Sequence, residues 1–147
     1  MKDLGSLIRL VQWRVDEKRR ELSDAERELD ACRQALVDLG HELKREQDAA
    51  RGSYEAGQGY ANYARLYLRR REVTEAAIRA SEVEVERVRD ELSGLFLELK
   101  QAEITQANRE KREAQRLAKL EQTDLDEMAI SRFSRAKKAA ESGEGRG

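Results

Sequence analysis

The fold of this chain depends most on residues 52–67, which read GSYEAGQGYANYARLY. The stretch contains all four tyrosines of a chain with 5% aromatic residues, together with Gly52, Gly57 and Gly59. Glycine takes positive φ without steric penalty, so the chain can reverse its direction here. We therefore predict a turn over about residues 52–59, which favours a hairpin over a straight rod.

Before this turn, apolar residues recur every seven positions, and a second row follows three residues after the first. This a/d pattern is typical of a coiled coil, and we predict a helix over about residues 3–51. Lys18 is the polar residue in the pattern, and such a residue can specify register at some cost in stability. The two rows are Met1, Ile8, Val15, Leu22, Leu29, Leu36 and Leu43, and Leu4, Val11, Lys18, Ala25, Cys32 and Leu39.

A second heptad pattern follows the turn, and we predict a helix over about residues 60–138. Two long amphipathic helices with a short link pack antiparallel. The expected fold is all-α, a single two-helix antiparallel coiled-coil hairpin over residues 1–139, with a disordered tail at 140–147. If residue i faces roughly residue 111 − i, the second helix overhangs the first from about residue 110. The second pattern comprises Ile78, Val85, Leu92 and Leu99, with Val88, Leu95 and Ala102.

The composition excludes several classes of protein. Charged residues make up 40% of the chain, with 29 basic and 30 acidic residues and no proline, which is typical of long helices rather than a compact globule. The balanced charge gives no general case for nucleic acid or anionic membrane as a partner. No apolar run approaches a membrane span or a signal peptide. A single cysteine suits the reducing cytoplasm.

No set of residues in the sequence predicts catalysis, a metal site or a cofactor. His41 is the only histidine, and Cys32 lies in the seam as a small apolar residue. Gly57 and Gly59 lack the third glycine and the strand of a dinucleotide-binding motif. Asp124 and Asp126 resemble the start of a calcium loop, but Met128 occupies the next ligand position. We expect no enzyme activity, no cofactor and no small-molecule substrate.

Three features lie outside the seam, and each has two interpretations. Trp13, three residues after Leu10, either packs on the second helix or its overhang, or is a docking anchor. Tyr60, Tyr63 and Tyr67 share one helix face, which either closes the hairpin tip or stays exposed for a partner. A basic end either complements the helix C-terminus or binds a partner, and it comprises Lys119, Arg132, Arg135, Lys137 and Lys138.

Three segments together resemble the FliJ family, the coiled-coil stalk proteins of the flagellar type III export apparatus. They are the N-terminal LGSLIRL with DEKRREL, the turn AGQGYANY and the C-terminal DEMAISR. The resemblance covers nearly the whole chain. It implies a non-catalytic, cytoplasmic protein, peripheral to the inner membrane at the flagellar base and required for motility and chemotaxis.

The resemblance also implies partners and sites. The open end, where both termini lie, would bind the hexameric export ATPase and regulate it, and the tip would contact the membrane export gate. Export chaperones are further partners, and the free chain would be a monomeric hairpin. The alternatives are the stalk of a virulence type III secretion system and a generic dimerising scaffold. The implied ATPase residues are Leu10, Trp13, Lys18, Asp126, Glu127, Met128 and Arg132, and the implied gate residues are Tyr63, Leu66 and Tyr67.

Overall fold

The computed structural model describes residues 4–144 and contains two helices, α1 (Leu4–Ala50) and α2 (Tyr54–Glu144). At 1.5 Å per residue, α1 is about 70 Å long and α2 about 140 Å. The two pack against each other along α1, and no strand occurs within the described part of the chain. The predicted all-α helical hairpin is therefore confirmed. Met1, which begins the predicted seam, lies outside the described residues.

The turn is much shorter than the sequence predicts. It contains only residues 51–53. The last turn of α1 tightens as the Arg51 amide donates to the Asp48 carbonyl and the Gly52 amide to the Ala49 carbonyl. Ser53 then caps α2, since its Oγ accepts a hydrogen bond from the Ala56 amide at 3.1 Å. No glycine in the described residues has a positive φ. The prediction of a turn over 52–59 was wrong beyond residue 53.

Gly57 and Gly59 are helical because packing and the Ser53 cap override their low helix propensity. A Cβ on Gly57 would lie 3.9 Å from the Ala50 carbonyl, so this glycine lies close to the end of α1. A Cβ on Gly59 would meet no atom within 4 Å. At its other end α2 continues to Glu144, beyond the predicted end at residue 138 and into the segment predicted to be disordered.

The core is a single row of side chains along the seam between the helices. Burying each one stabilises the hairpin by about 1.5–3 kcal/mol, and Val11 and Val88 are fully buried. Cross-helix contacts join Lys18 to Glu91 and Arg70 to Glu42, which agrees with the predicted register to within about two residues. The buried apolar residues are Ile8, Val11, Val15, Leu29, Leu39, Val85, Val88 and Leu92.

The second helix extends past the first by a long unpaired segment. In the register above, Leu4 at the start of α1 lies opposite residue 107. From Ala107 to Gly143 every side chain is exposed. We call residues 107–144 the overhang. Neither helix has a segment apolar and long enough to cross a membrane in the part of the chain that is described.

Candidate functional site at the open end and the tip

The outer side of α1 near the open end carries three large exposed apolar residues. Leu7 is 40% exposed, Leu10 is 45% exposed and Trp13 is 61% exposed. The nearby Val11 and Val15 are instead buried in the seam. The spacing of three residues places them on one side of the first helical turns. Neither α2 nor the overhang covers Trp13, so its exposure favours the docking anchor over the packing interpretation.

A shallow groove of about 490 Å³ begins at Trp13 and crosses to α2. Arg14 and Lys18 line it on α1, and Gly94 and Leu95 line it on α2. Gly94 leaves room in the groove, since a Cβ there would meet no atom within 4 Å. The groove can accept an apolar side chain beside the Trp13 ring.

Lys18 leaves the seam and joins the two helices. Its Nζ lies 2.8 Å from Glu21 Oε2 on α1 and 2.7 Å from Glu91 Oε2 on α2. The hydrogen bond to Glu21, then that to Glu91, raises the Lys18 pKa. The ammonium is thus engaged within the chain. These contacts favour the register-setting interpretation of Lys18, which also lines the groove that begins at Trp13.

Arg87 extends this network on α2. It contacts Glu21 across the seam at 3.1 Å and Glu91 on its own helix at 2.6 Å, and it also pairs with Glu84. Hydrogen bonds from Lys18 lower the pKa of Glu21 and Glu91, and the one from Arg87 lowers that of Glu84. These pairs are solvent-exposed, so each contributes little stability alone, but together they favour one register.

The overhang carries large apolar side chains on more than one side. Leu117, Leu120 and Met128 are 49%, 49% and 53% exposed, and with Leu125 they occupy an arc of about 140° on the helix. Ile130 and Phe133, 65% and 71% exposed, point to the opposite side. This distribution explains why the sequence shows no single register here. A helix that is apolar on several sides is suited to being surrounded by a partner.

The other residues implied at the open end also lie in the overhang. Asp126 accepts a hydrogen bond from Gln122 Nε2 at 3.0 Å, and Glu127 and Met128 line a shallow depression. Arg132 is exposed. Trp13 lies opposite residue 98, so about 45 Å of helix separate it from Met128. The residues implied at this end therefore lie in two separate regions, one on α1 and one on the overhang.

The residues implied at the tip differ in how far α1 covers them. Tyr60 accepts a hydrogen bond from Gln47 Nε2 of α1 at 3.1 Å. Tyr63 Oη is buried, with no hydrogen-bond partner among the described residues, and burial chiefly raises the Tyr63 pKa. Tyr67 is half-buried, whereas Leu66 is 47% exposed. The three tyrosines share the face toward α1, which favours the tip-closing interpretation, and Leu66 lies at the exposed border of that face.

Possible chemistry-bearing residues do not converge. His41 is exposed, and Cys32 Sγ lies 3.7 Å from Ser81 Oγ in the seam. Asp124 and Asp126 lie within a continuous helix rather than a calcium loop. Among residues 4–144, no three His, Cys, Asp or Glu side chains are placed to share a metal ion.

Sequence reasoning missed an exposed apolar row on the side of α2 away from α1. Val83, Leu97 and Ile104 are 70%, 61% and 50% exposed. Their separations of 14 and 7 residues fit a second heptad row, displaced from the seam. Nearer the tip, Leu66 and Val73 are also seven apart, but they lie on a flank of α2, where Val73 lines a shallow groove between the two helices. The spacing of these residues is visible in the sequence, but the seam residues form a stronger heptad pattern, and only that pattern was interpreted.

Comparison with known protein families identifies a match over most of the chain. The family model described as Flagellar FliJ protein matches residues 1–138 of the 147-residue chain. The match includes both helices of the hairpin and most of the overhang. No curated protein and no solved structure matches the chain significantly.

Proposed function

This chain belongs to the FliJ family of flagellar proteins, and from this premise we propose that it is a non-catalytic stalk that binds the hexameric ATPase of flagellar protein export. The stalk couples the ATPase to the membrane export gate and to export chaperones. It acts in the cytoplasm at the inner face of the membrane, where flagellar assembly depends on it for motility and chemotaxis.

The overhang is the observation that carries the proposal. Its exposed residues include Leu117, Leu120 and Met128 on one side and Phe133 on the other. Such a helix leaves large apolar side chains in water unless a partner covers them. A ring surrounds a helix from several sides at once, so the overhang fits the central opening of a ring better than one flat surface.

The α1 side of the open end supplies the second ATPase contact. Leu10 and Trp13 form the exposed apolar surface there, and tryptophan is enriched among residues that dominate binding energy. Lys18 supports this surface indirectly by holding the register of the seam beneath it. Asp126, Glu127 and Arg132 provide the polar rim around Met128 on the overhang.

The opposite end of the hairpin serves the gate. Tyr63 and Tyr67 close the tip against α1, and Leu66 is the exposed member of the set that reaches a partner. The rod has only shallow grooves in its described part, which fits recognition of protein surfaces rather than of a small-molecule substrate. Export chaperones use the same elongated surface.

Binding to the export ATPase tests the proposal directly. We expect the full chain to co-purify with the ATPase and to raise its rate of ATP hydrolysis. Trp13→Ala and Met128→Ala should each weaken the complex at least tenfold, the effect typical of a residue that contributes more than about 1.4 kcal/mol to binding. Leu66→Ala is the matched control, because it removes an exposed apolar side chain at the far end of the rod.

Two measurements separate this proposal from its rival, a scaffold that dimerises. Far-UV circular dichroism should show unchanged helicity in both variants, so a loss of binding cannot reflect a loss of fold. Light scattering should give the monomer mass of 16.9 kDa. A stable dimer that neither binds the ATPase nor changes its rate would refute the stalk and support the scaffold.

A further inference from the structure

The tip of the hairpin has a charge that the whole-chain balance conceals. Residues 41–71 contain seven basic residues (Lys and Arg) and four acidic residues (Asp and Glu). Residues 72–107 contain four basic and nine acidic residues. The net charge of the chain is only −1. The rod is therefore basic at its tip and acidic along the adjacent part of α2, so an anionic surface attracts one end and repels the next segment.

Within the tip, α2 has a long segment without carboxylates. Residues 56–71 contain four arginines and no Asp or Glu, over about 24 Å of helix. Arg70 pairs with Glu42 of α1 at 3.1 Å, and Arg71 pairs with Glu75 at 2.9 Å. Arg65 and Arg69 form no ion pair with any residue of the described chain. Two of the four guanidinium groups are thus free for an external anion.

The two free arginines lie among exposed apolar side chains on one face. Tyr54, Arg65, Leu68 and Arg69 fall within an arc of about 100° centred on the side of α2 away from α1. Arg69 lies at the edge of this arc, where it also lines a shallow groove with Asp38 and Glu42 of α1. Tyr54 is 82% exposed and Leu68 57%, and Leu66 borders the face at 47%. We call this set, Tyr54, Arg65, Leu66, Leu68 and Arg69, the tip face.

We propose that the tip face binds the headgroup region of an anionic lipid bilayer, with the start of α2 lying along the membrane surface. Its arginines pair with lipid phosphates while Leu68 and the ring of Tyr54 enter the interface, as in amphipathic surface helices. Tyrosine is favoured there because its ring is apolar and its hydroxyl stays hydrated.

The form of the tip face favours lipid over an acidic protein. Its apolar side chains are spaced singly between the arginines along a straight helix, with no central anchor pocket of the kind that protein interfaces use. Arg65 and Arg69 form no ion pair within the described chain, so their guanidinium groups can pair with the phosphates of a planar surface. This inference does not depend on the proposed ATPase contact, which lies at the other end of the rod.

Vesicle sedimentation of the full chain tests the proposal. The chain should sediment with vesicles of phosphatidylcholine and phosphatidylglycerol, and not with phosphatidylcholine alone. Binding should vanish near 1 M salt, where the Debye length falls to about 3 Å. Each basic residue near an anionic bilayer contributes about fivefold to affinity at low salt, so Arg65→Gln with Arg69→Gln should weaken binding about 25-fold.

A matched double variant controls for overall charge. Arg109→Gln with Arg112→Gln removes the same charge from the overhang, where both residues are exposed, and it should change vesicle binding by less than about twofold, since these residues lie far beyond a Debye length from the tip. Equal losses in the two double variants would overturn the proposal, because binding would then follow net charge rather than the tip face.

Fluorescence locates the contact. Trp13 is the only tryptophan, so Tyr54→Trp in a Trp13→Phe background reports from the tip, and its emission should shift to the blue on anionic vesicles. Leu125→Trp in the same background should not shift. A chain that ignores protein-free vesicles would refute the proposal and assign the free arginines to an acidic protein. ATPase stimulation should stay intact in the Arg65 and Arg69 variant, which separates failure here from failure of the stalk.

Discussion

Three valines on two turns of α2 give a sharp test of the hairpin. Val88 is fully buried, Val85 is 3% exposed and Val83 is 70% exposed, although all three lie within six residues of each other. Replacing any of them by alanine removes the same atoms from the same helix. The difference between the variants therefore measures the seam alone, without differences in side-chain chemistry.

Burial sets the expected size of the effect. Val88→Ala removes two buried carbon groups at about 0.8 kcal/mol each, or about 1.6 kcal/mol. Alanine returns about 0.5 kcal/mol through its higher helix propensity, and the cavity that remains adds a further cost. We expect Val88→Ala to lower the free energy of unfolding by about 1–2 kcal/mol. Val83→Ala should change it by less than about 0.5 kcal/mol, since Val83 loses little burial and gains the same propensity.

Urea unfolding followed by far-UV circular dichroism measures both values. Residues 107–143 of the overhang are all exposed, so this part of the helix should melt gradually, and the cooperative transition should report the paired part of the hairpin. Equal destabilisation by Val83→Ala and Val88→Ala would refute the reasoning. A Val83→Ala effect that grows with protein concentration would show that the outer row of α2 is covered in an oligomer.

Three further predictions follow from local geometry. Gly59→Ala should raise the free energy of unfolding by about 0.5–1 kcal/mol, because the position is helical with open space around it. A lower free energy of unfolding measured in urea would instead place residue 59 in a turn. Tyr63→Phe should leave the melting temperature unchanged or raise it, because it removes a buried hydroxyl that has no partner among the described residues. Tyr63→Ala should lower the melting temperature. A marked drop in the melting temperature of Tyr63→Phe would reveal a hydrogen bond to that hydroxyl. The pKa values of Glu21, Glu84 and Glu91 are lowered from an ordinary value of 4.5, so their contribution to stability is present above that pH and is lost as pH falls through the lowered values. A variant with Gln at these three positions should lose less stability in acid than the natural chain, and parallel pH profiles would contradict the network.

The sequence determined the fold class because the relevant signal is periodic and local. The row from Ile8 to Leu43 and the row from Ile78 to Leu99 repeat every seven residues, and only a coiled-coil seam buries both. Their spacing about the turn also fixed the register, which Lys18 and Glu91 confirm. The length of the overhang followed from that register, since α1 has too few residues to cover α2.

The length of the turn and the division of the tip residues were decided by tertiary structure. The glycine content predicted a break through residue 59, but the Ser53 cap and the contact of Gly57 with the end of α1 start the helix at Tyr54. Propensity is a weak local energy, and a cap together with packing exceeds it. The sequence also predicted the end of α2 at about residue 138, because local composition suggested fraying, whereas the helix continues to Glu144.

The role of each side chain depends on which face of its helix meets the other helix. The heptad pattern of the sequence identifies that face only for the seam residues. Lys18 was predicted both to set the register and to belong to a partner surface, and its ammonium reaches two carboxylates within the chain. The family resemblance implied Tyr63 and Leu66 as one set, and the fold covers Tyr63 against α1 while Leu66 stays 47% exposed. Overall charge balance concealed a basic tip, and within it the fold brings Glu42 of α1 to Arg70, whereas Arg71 pairs with Glu75 on its own helix and Arg65 and Arg69 form no ion pair in the described chain. The sequence by itself therefore determined the rod and its register, and the tertiary structure decided which charges and apolar groups remain free on its surface, because that depends on distances between residues far apart in the chain.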